Sequence, residues 1–235
     1  MAKKNTKPKQ TIIEPVEFVE EKPSYRFKPK NKDQSEAWRA IAENDYTFLT
    51  GVAGSGKSFL PIAYAVEHLL SGRFKKIILS RPAVESGENL GFLPGEATDK
   101  VKPFLTPVFD AIDKVSGCKS LKERVAACIE IVPLAYARGR TFENCFCVLD
   151  EAQNAEPAAI EMYMTRLGEG SKMVLCGDDG QPDIDRCVLQ DVARAFSEAN
   201  QAGWVEFKES VRHPRILSVI KIMEPFKQMS KRGRR

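Results

Sequence analysis

Residues 50–60 read "TGVAGSGKSFL", a stretch in which Gly51, Gly56, Lys57 and Ser58 fit the pattern G-x-x-x-x-G-K-[ST]. The apolar run "YTFLT" before it is typical of a buried strand, and a helical pattern follows it. A glycine-rich turn between a strand and a helix N-terminus presents backbone N–H groups to phosphate oxygens. The stretch therefore predicts a phosphate-binding loop in an α/β fold.

The residue types of this loop predict a bound nucleotide. Lys57 would contact the β- and γ-phosphates, and the Ser58 hydroxyl would bind Mg²⁺. Glycines are needed because larger side chains would obstruct the tight turn and the approach of the phosphates. Pro61 falls inside the expected helix, where proline removes a hydrogen bond unless it lies near the first turn. The expected nucleotide-binding residues of the loop are Gly51, Val52, Ala53, Gly54, Ser55, Gly56, Lys57, Ser58 and Phe59.

Short apolar runs alternate with helical patterns along the rest of the chain. This alternation predicts an α/β fold with a mostly parallel sheet and helices on both faces. The expected strands are 46–50, 76–80, 130–135, 145–150, 172–177 and 204–207. The expected helices are 34–44, 57–71, 120–128, 156–167 and 188–200, with Asp33 as the cap of the first.

Two of the expected strands end in acidic and amide side chains. The run "FCVLDEAQNA" places Asp150 and Glu151 at the carboxyl end of a strand, where parallel sheets bind their ligands. Asp150 would hold the hydrated Mg²⁺, and Glu151 would orient and polarise the attacking water as a general base. The run "KMVLCGDDGQ" leads into Asp178 and Gln181, and Gln181 is placed to sense the γ-phosphate. The order of the three motifs predicts hydrolysis of a nucleoside triphosphate.

Phosphoryl transfer also commonly requires an arginine, which is worth about 10³–10⁵ in rate. No arginine is adjacent to Lys57, so we expect one to come from elsewhere in the fold or from another subunit. The candidates are Arg81, Arg138, Arg140, Arg166 and Arg212.

Composition and charge favour a cytoplasmic protein with one core and two basic ends. Of 235 residues, 43% are apolar, and no apolar run approaches the roughly 20 residues of a membrane-spanning helix. The six cysteines form no Cys-x-x-Cys pair, and those at 145, 147 and 176 are expected to be buried, reduced thiols. We expect a basic, proline-containing arm over 1–33, one domain over 34–226 and a basic tail over 227–235. The tails are either merely solvated or attract nucleic-acid phosphates.

The motifs together resemble the PhoH-like proteins, P-loop ATPases related to the cores of superfamily 1 helicases. The resemblance covers about residues 31–224 and rests on "NKDQ", "GVAGSGKS", "ARGRTFENCFCVLDEAQN", "TRLGEGSKMVLCGDDGQPD" and "VRHP", in the order typical of the family. Its most specific part is the glycine- and proline-rich segment 81–107, too long for an ordinary connection. Val52 departs from the proline common there, and "RCVLQDV" departs from the usual Ser-Gly-Leu, which leaves that loop's role open. We expect no attached nuclease domain, unlike the PhoH proteins that are fused to a PIN ribonuclease, and this compact form suggests a bacterial or phage protein.

The resemblance implies roles for residues outside the phosphate-binding loop and implies a RecA-like domain. Gln34 would read adenine, Arg81 would contact a nucleic-acid strand, and Arg166 and Arg212 would act near the γ-phosphate of ATP. Superfamily 1 helicases close ATP between two such domains, whereas this chain has the length for one. We therefore expect a homo-oligomer, a hexameric ring as the family implies, with Arg212 or Arg166 acting in trans.

Three functions remain compatible with these motifs. The first is a motor or remodeller of single-stranded RNA or DNA that is driven by ATP. The second is a nucleotide-dependent assembly or partner-recruiting switch whose turnover is indifferent to nucleic acid. The third is a small-molecule kinase, which fits less well because a glutamate after Asp150 and a glutamine sensor suit water as the acceptor.

Overall fold

A computed structural model of the chain describes residues 27–82, 113, 119–178 and 187–232. Six strands of these ranges form one sheet with the order β3-β2-β4-β5-β1-β6, and all neighbouring strands run parallel. The strands are β1 (Tyr46–Gly51), β2 (Lys76–Ser80), β3 (Ile129–Ile131), β4 (Cys145–Leu149), β5 (Lys172–Cys176) and β6 (Gly203–Phe207). The parallel sheet predicted from the sequence is confirmed.

Helices cover both faces of this sheet. They are α1 (Lys32–Glu43), α2 (Phe59–Leu70), α3 (Lys119–Ala127), α4 (Pro157–Met164), α5 (Leu189–Glu198) and α6 (Pro214–Arg232), with 3₁₀ turns at Leu134–Ala137 and Ala152–Asn154. Because side chains alternate along a strand, Leu49 packs against α1 and α2, and Phe48 packs against α5 on the other face. Cys145, Cys147 and Cys176 are buried on strands, as expected. The predicted two-sided α/β architecture is therefore confirmed.

The structure corrects two details of the sequence-based elements. The predicted strand 130–135 ends at Ile131, because Pro133 has no N–H for a sheet and a 3₁₀ turn follows. Helix α1 is capped by the Asn31 side chain, which accepts from the Gln34 N–H at 3.0 Å, and not by Asp33. Asp33 instead accepts from the backbone N–H of Lys208, which follows β6.

The domain boundaries predicted at 33/34 and 226/227 both fall inside helices. Helix α1 begins at Lys32, and before it Phe27 stacks on Trp38 with ring centroids 4.8 Å apart. The long helix α6 was not predicted, and it continues through the expected basic tail to Arg232. Residues 1–26, most of segment 81–107, Gln181 and residues 233–235 lie outside the described residues. No helix within the described ranges is long and apolar enough to cross a membrane.

Pro61 is accommodated because it is the third residue of α2. The N–H groups of a helix's first turn have no acceptor within the helix itself, so a proline there costs little. The Lys57 carbonyl, four residues earlier, accepts instead from the thiol of Cys176 at 3.2 Å. The thiol at the end of β5 thereby ties the phosphate-binding loop to the neighbouring strand.

Candidate nucleotide-binding site

The carboxyl ends of several strands meet at one edge of the sheet, here called the carboxyl edge. The loop 51–58 follows β1, Arg81 follows β2, Asp150 and Glu151 follow β4, and Asp178 follows β5. Strand β5 lies between β1 and β4 in the sheet. The register of the parallel strands therefore brings these residues together at the carboxyl edge.

Two glycines of the loop are required by backbone conformation and by close packing. Gly51 has φ +115°, and a Cβ there would lie 2.1 Å from the Phe207 carbonyl oxygen. Gly54 has φ +76°, and a Cβ there would lie 2.2 Å from Nε of Arg212. Any other residue would meet both strain at positive φ and a steric clash. The loop is therefore held between β1 and the segment that follows β6.

Lys57 is almost fully buried at the centre of the loop. Its Nζ donates to the Val52 carbonyl at 3.0 Å and lies 3.9 Å from the Asp178 carboxylate. The Ser55 hydroxyl is also buried, and it has no hydrogen-bond partner among the described residues. A buried hydroxyl without a partner is costly, and in this loop a phosphate oxygen would satisfy it. The loop therefore offers a charged donor and an unsatisfied donor to an anion.

The Ser58 hydroxyl donates to Oδ1 of Asp150 at 2.7 Å, joining the end of the loop to the end of β4. Burial raises the pKa of the Asp150 carboxyl, the hydrogen bond from Ser58 lowers it, and the charge of Glu151 raises it further. A cation beside this carboxylate would favour its charged form. Hydroxyl and carboxylate oxygens are ligands suited to Mg²⁺, which keeps several waters and takes few protein ligands. The pair therefore fits the expected magnesium ion.

Glu151 has an unusual backbone conformation directly after β4. Its φ is +53°, in the left-handed region that non-glycine residues rarely adopt and that costs about 1–2 kcal/mol. Its Oε1 lies 3.3 Å from Nη2 of Arg81, and its Oε2 accepts from Nε2 of Gln153. Strained residues of this kind cluster at functional sites. The strain and the two partners fix the direction of the carboxylate that the sequence identifies as the general base.

Gln153 is a site residue that the sequence analysis did not identify. It is 2% exposed, and its Oε1 accepts from the Asp178 backbone N–H at 3.1 Å while its Nε2 donates to Glu151. It therefore links the ends of β4 and β5. The signal that could have identified it is its place in the motif "DEAQ". It was missed because only the two acidic residues of that motif were interpreted.

Gln34 lies against the phosphate-binding loop. Its Nε2 donates to the Ser55 carbonyl at 2.9 Å, and its Oε1 accepts from the Lys30 N–H at 2.9 Å. A Cβ on Gly56 would lie 2.8 Å from this Nε2. The structure therefore places Gln34 beside the loop and gives its amide a structural role there, whereas the adenine contact stays a prediction.

Arg212 and Arg166, the two arginines expected to act near the γ-phosphate, lie at opposite ends of the strands. Arg212 packs on Gly54 of its own loop, and the neighbouring Val211 N–H donates to the Gly54 carbonyl at 3.0 Å. Arg166 precedes β5, its carbonyl accepts from the Phe142 N–H, and its Nη1 donates to the Arg140 carbonyl at 3.3 Å. The five residues of β4, about 16 Å long, separate it from the carboxyl edge. Arg212 therefore lies beside the phosphate-binding loop of its own chain and Arg166 lies far from it, whereas the action of either arginine on a γ-phosphate stays a prediction.

Away from the carboxyl edge, the described residues form one further cavity of note. A cavity of about 520 Å³ lies at the opposite edge, between Asp45, Arg73, Asn144 and the segment 167–172. The length of the strands separates this cavity from the phosphate-binding loop. In the same part of the chain, no group of three or more His, Cys, Asp or Glu side chains is placed to hold a metal ion.

Comparison with known proteins gives a consistent family match. The family described as "PhoH-like protein" matches residues 26–224. A PhoH-like protein of Bacillus subtilis (strain 168) is 41% identical over 228 residues, which cover 94% of this chain and 71% of that protein. A PhoH-like protein of Synechocystis is 42% identical over 198 residues, covering 79% of this chain and 58% of that protein. Protein PhoH of Escherichia coli (strain K12) is 38% identical over 185 residues, covering 76% of this chain and 52% of that protein. The chain thus spans from about half to about seven tenths of these relatives.

Proposed function

This chain belongs to the PhoH-like protein family, which is of the P-loop nucleotide-binding type, and we propose that it hydrolyses ATP with Mg²⁺. The observation that carries this proposal is the 2.7 Å hydrogen bond between Ser58 and Asp150. It joins the loop that would hold the phosphates to the carboxylate that would hold the metal. Glu151 follows directly, where a water-activating group is needed.

The chemistry follows from the positions of these side chains. The loop N–H groups, Lys57 and the Ser55 hydroxyl would bind the phosphates, and Ser58 and Asp150 would hold the metal. When bound, Mg²⁺ would neutralise negative charge on the phosphates. A water oriented by Glu151 attacks the γ-phosphorus, the bond to the β-phosphate oxygen breaks, and ADP and phosphate leave. Glu151 accepts the proton of the attacking water.

We further propose that the energy of hydrolysis is used on single-stranded RNA or DNA in the cytoplasm of a bacterial or phage-infected cell. Arg81 supports this part because it lies at the carboxyl edge beside Glu151 with a side chain that is 39% exposed. The lysines near residue 1 and the sequence "KRGRR" at the other end add positive charge. Non-specific strand binding requires such charge along the backbone path.

A homo-oligomer, in the form of the hexameric ring that the family implies, is the proposed working form. The side chains of Ile216, Val219, Ile222 and Met223 on α6 are between 46% and 66% exposed. A group of exposed apolar side chains usually marks an interface. If Arg166 acts on ATP, as the family resemblance implies, its position at the far edge requires that the ATP be bound to a neighbouring subunit. Sedimentation at nanomolar concentration tests this part, and a monomer with full ATPase activity would contradict it.

The first test is steady-state ATP hydrolysis with and without polyuridylate RNA and oligothymidylate DNA. We expect turnover that depends on Mg²⁺ and rises severalfold with at least one of the two strands. Stimulation should weaken steeply with salt, because strand binding releases counterions. Slow turnover that neither strand changes, together with a mass increase on addition of ATP, would support the alternative of a nucleotide-dependent assembly switch.

A further inference from the structure

The glutamate assigned as general base is held by two side chains at the carboxyl edge. Arg81 reaches its Oε1 at 3.3 Å, and Gln153 donates to its Oε2. A general base must accept a hydrogen bond from the water that it activates. The contact with Arg81 therefore restrains the direction of the Glu151 carboxylate and occupies one of its oxygens.

The contact between Arg81 and Glu151 follows from the pairing of β2 with β4 in the sheet. Strands β2 and β4 are neighbours, Ser80 is in register with Leu149, and the Asp150 N–H donates to the Ser80 carbonyl at 2.9 Å. Arg81 is the residue after β2, and Glu151 lies just beyond the end of β4. The two side chains therefore leave adjacent strand ends and meet.

The same guanidinium is accessible from solvent. The side chains of Arg81 and Glu151 are 39% and 37% exposed. The attraction in an ion pair this exposed shifts the equilibrium between the paired and the separated side chains by about five-fold or less. A phosphodiester matches the planar fork of a guanidinium as well as a carboxylate does. A strand phosphate can therefore replace Glu151 as the partner of Arg81 at little cost.

We propose that Arg81 is the residue that couples strand binding to hydrolysis. Without a strand, its guanidinium holds Glu151 away from the attacking water. A phosphate of a bound single strand takes over the guanidinium, and Glu151 becomes available as the base. Gln153 keeps the other carboxylate oxygen tied to the end of β5, so the released glutamate stays in the site. This inference rests on the proposed function, because it requires that the protein bind single strands and hydrolyse ATP.

The test compares Arg81→Gln and Arg81→Lys with Arg73→Gln in the full chain. Arg73 is an exposed arginine at the opposite edge, and its replacement serves as the matched control. For Arg81→Gln we expect the basal kcat to rise about two- to five-fold, the KM for ATP to stay unchanged and the stimulation by polyuridylate to vanish. Arg81→Lys keeps the charge and should keep a low basal rate. The slope of strand affinity against salt should fall by about one for Arg81→Gln.

Other results would separate a failure of this inference from a failure of the proposed function. A lower basal kcat for Arg81→Gln, with an unchanged thermal melt, would overturn the inference, because Arg81 would then assist hydrolysis directly. An unchanged basal rate with intact stimulation would also overturn it. If the wild-type protein hydrolyses ATP but no strand changes its rate, the proposal that it acts on single strands would be overturned. A raised basal rate in Arg81→Gln would in that case still support the restraint of Glu151 by Arg81.

Discussion

Replacement of Lys57 by alanine is expected to lower the rate of ATP hydrolysis by at least about 10²-fold, as loss of a donor to transition-state charge typically does. Lys57 is 8% exposed, so its charge acts in a site with little water to screen it. Its present partners, the Val52 carbonyl and the Asp178 carboxylate, show that the ammonium lies between the loop and the end of β5. Phosphate release measured at saturating ATP and Mg²⁺ checks the expectation.

The control for Lys57→Ala is Lys75→Ala. Lys75 is exposed just before β2, at the edge opposite to the loop, so its loss removes the same charge without touching the site. Both variants should be folded by circular dichroism. Hydrolysis by Lys57→Ala at more than about a tenth of the wild-type rate would exclude this lysine from transition-state stabilisation, since such donors are worth about 10²–10³.

Glu151→Gln should lower hydrolysis by about 10²–10⁴-fold, the usual contribution of a general base. The amide keeps the size of the carboxylate and can still accept from Gln153, but it cannot take a proton from water. Binding of ATP with Mg²⁺ should be retained, because Ser58 and Asp150 are unchanged. A fluorescent ATP analogue measures the binding, and single-turnover hydrolysis measures the chemical step.

Glu156→Gln is the matched control for this change. Glu156 lies five residues further along the chain, before α4, and is exposed. Its replacement removes one carboxylate near the same strand end and should leave both ATP binding and hydrolysis unchanged. If Glu151→Gln loses nucleotide binding together with hydrolysis, the glutamate would hold the metal or the nucleotide, and the assignment of a base would be wrong.

Several parts of the site could be predicted because they depend on neighbours in sequence. The loop 51–58 needs only its own glycines, the strand before it and the helix after it. Asp150 and Glu151 follow a buried strand, and the carboxyl ends of parallel strands share one edge of the sheet. The expected positions of Lys57, Ser58 and Asp150 therefore followed from local pattern and from one topological rule.

Other local predictions failed where a competing interaction was stronger. Asp33 has the right side chain for a helix cap, but Asn31 occupies that position and Asp33 binds the Lys208 N–H. The proline at 133 ended a strand that its apolar neighbours favoured. Helix α6 was missed, since its exposed apolar residues resemble neither a buried face nor a polar tail.

The sequence by itself determined the chemical groups of this protein: a phosphate loop, a carboxylate suited to a metal and a candidate base, each carried by a few consecutive residues. Only the tertiary structure decided which side chains contact them. The contacts of Arg81 with Glu151 and of Arg212 with Gly54 join residues 70 or more positions apart. Such contacts depend on strand order, register and the packing of both sheet faces, and no local pattern of residues specifies these.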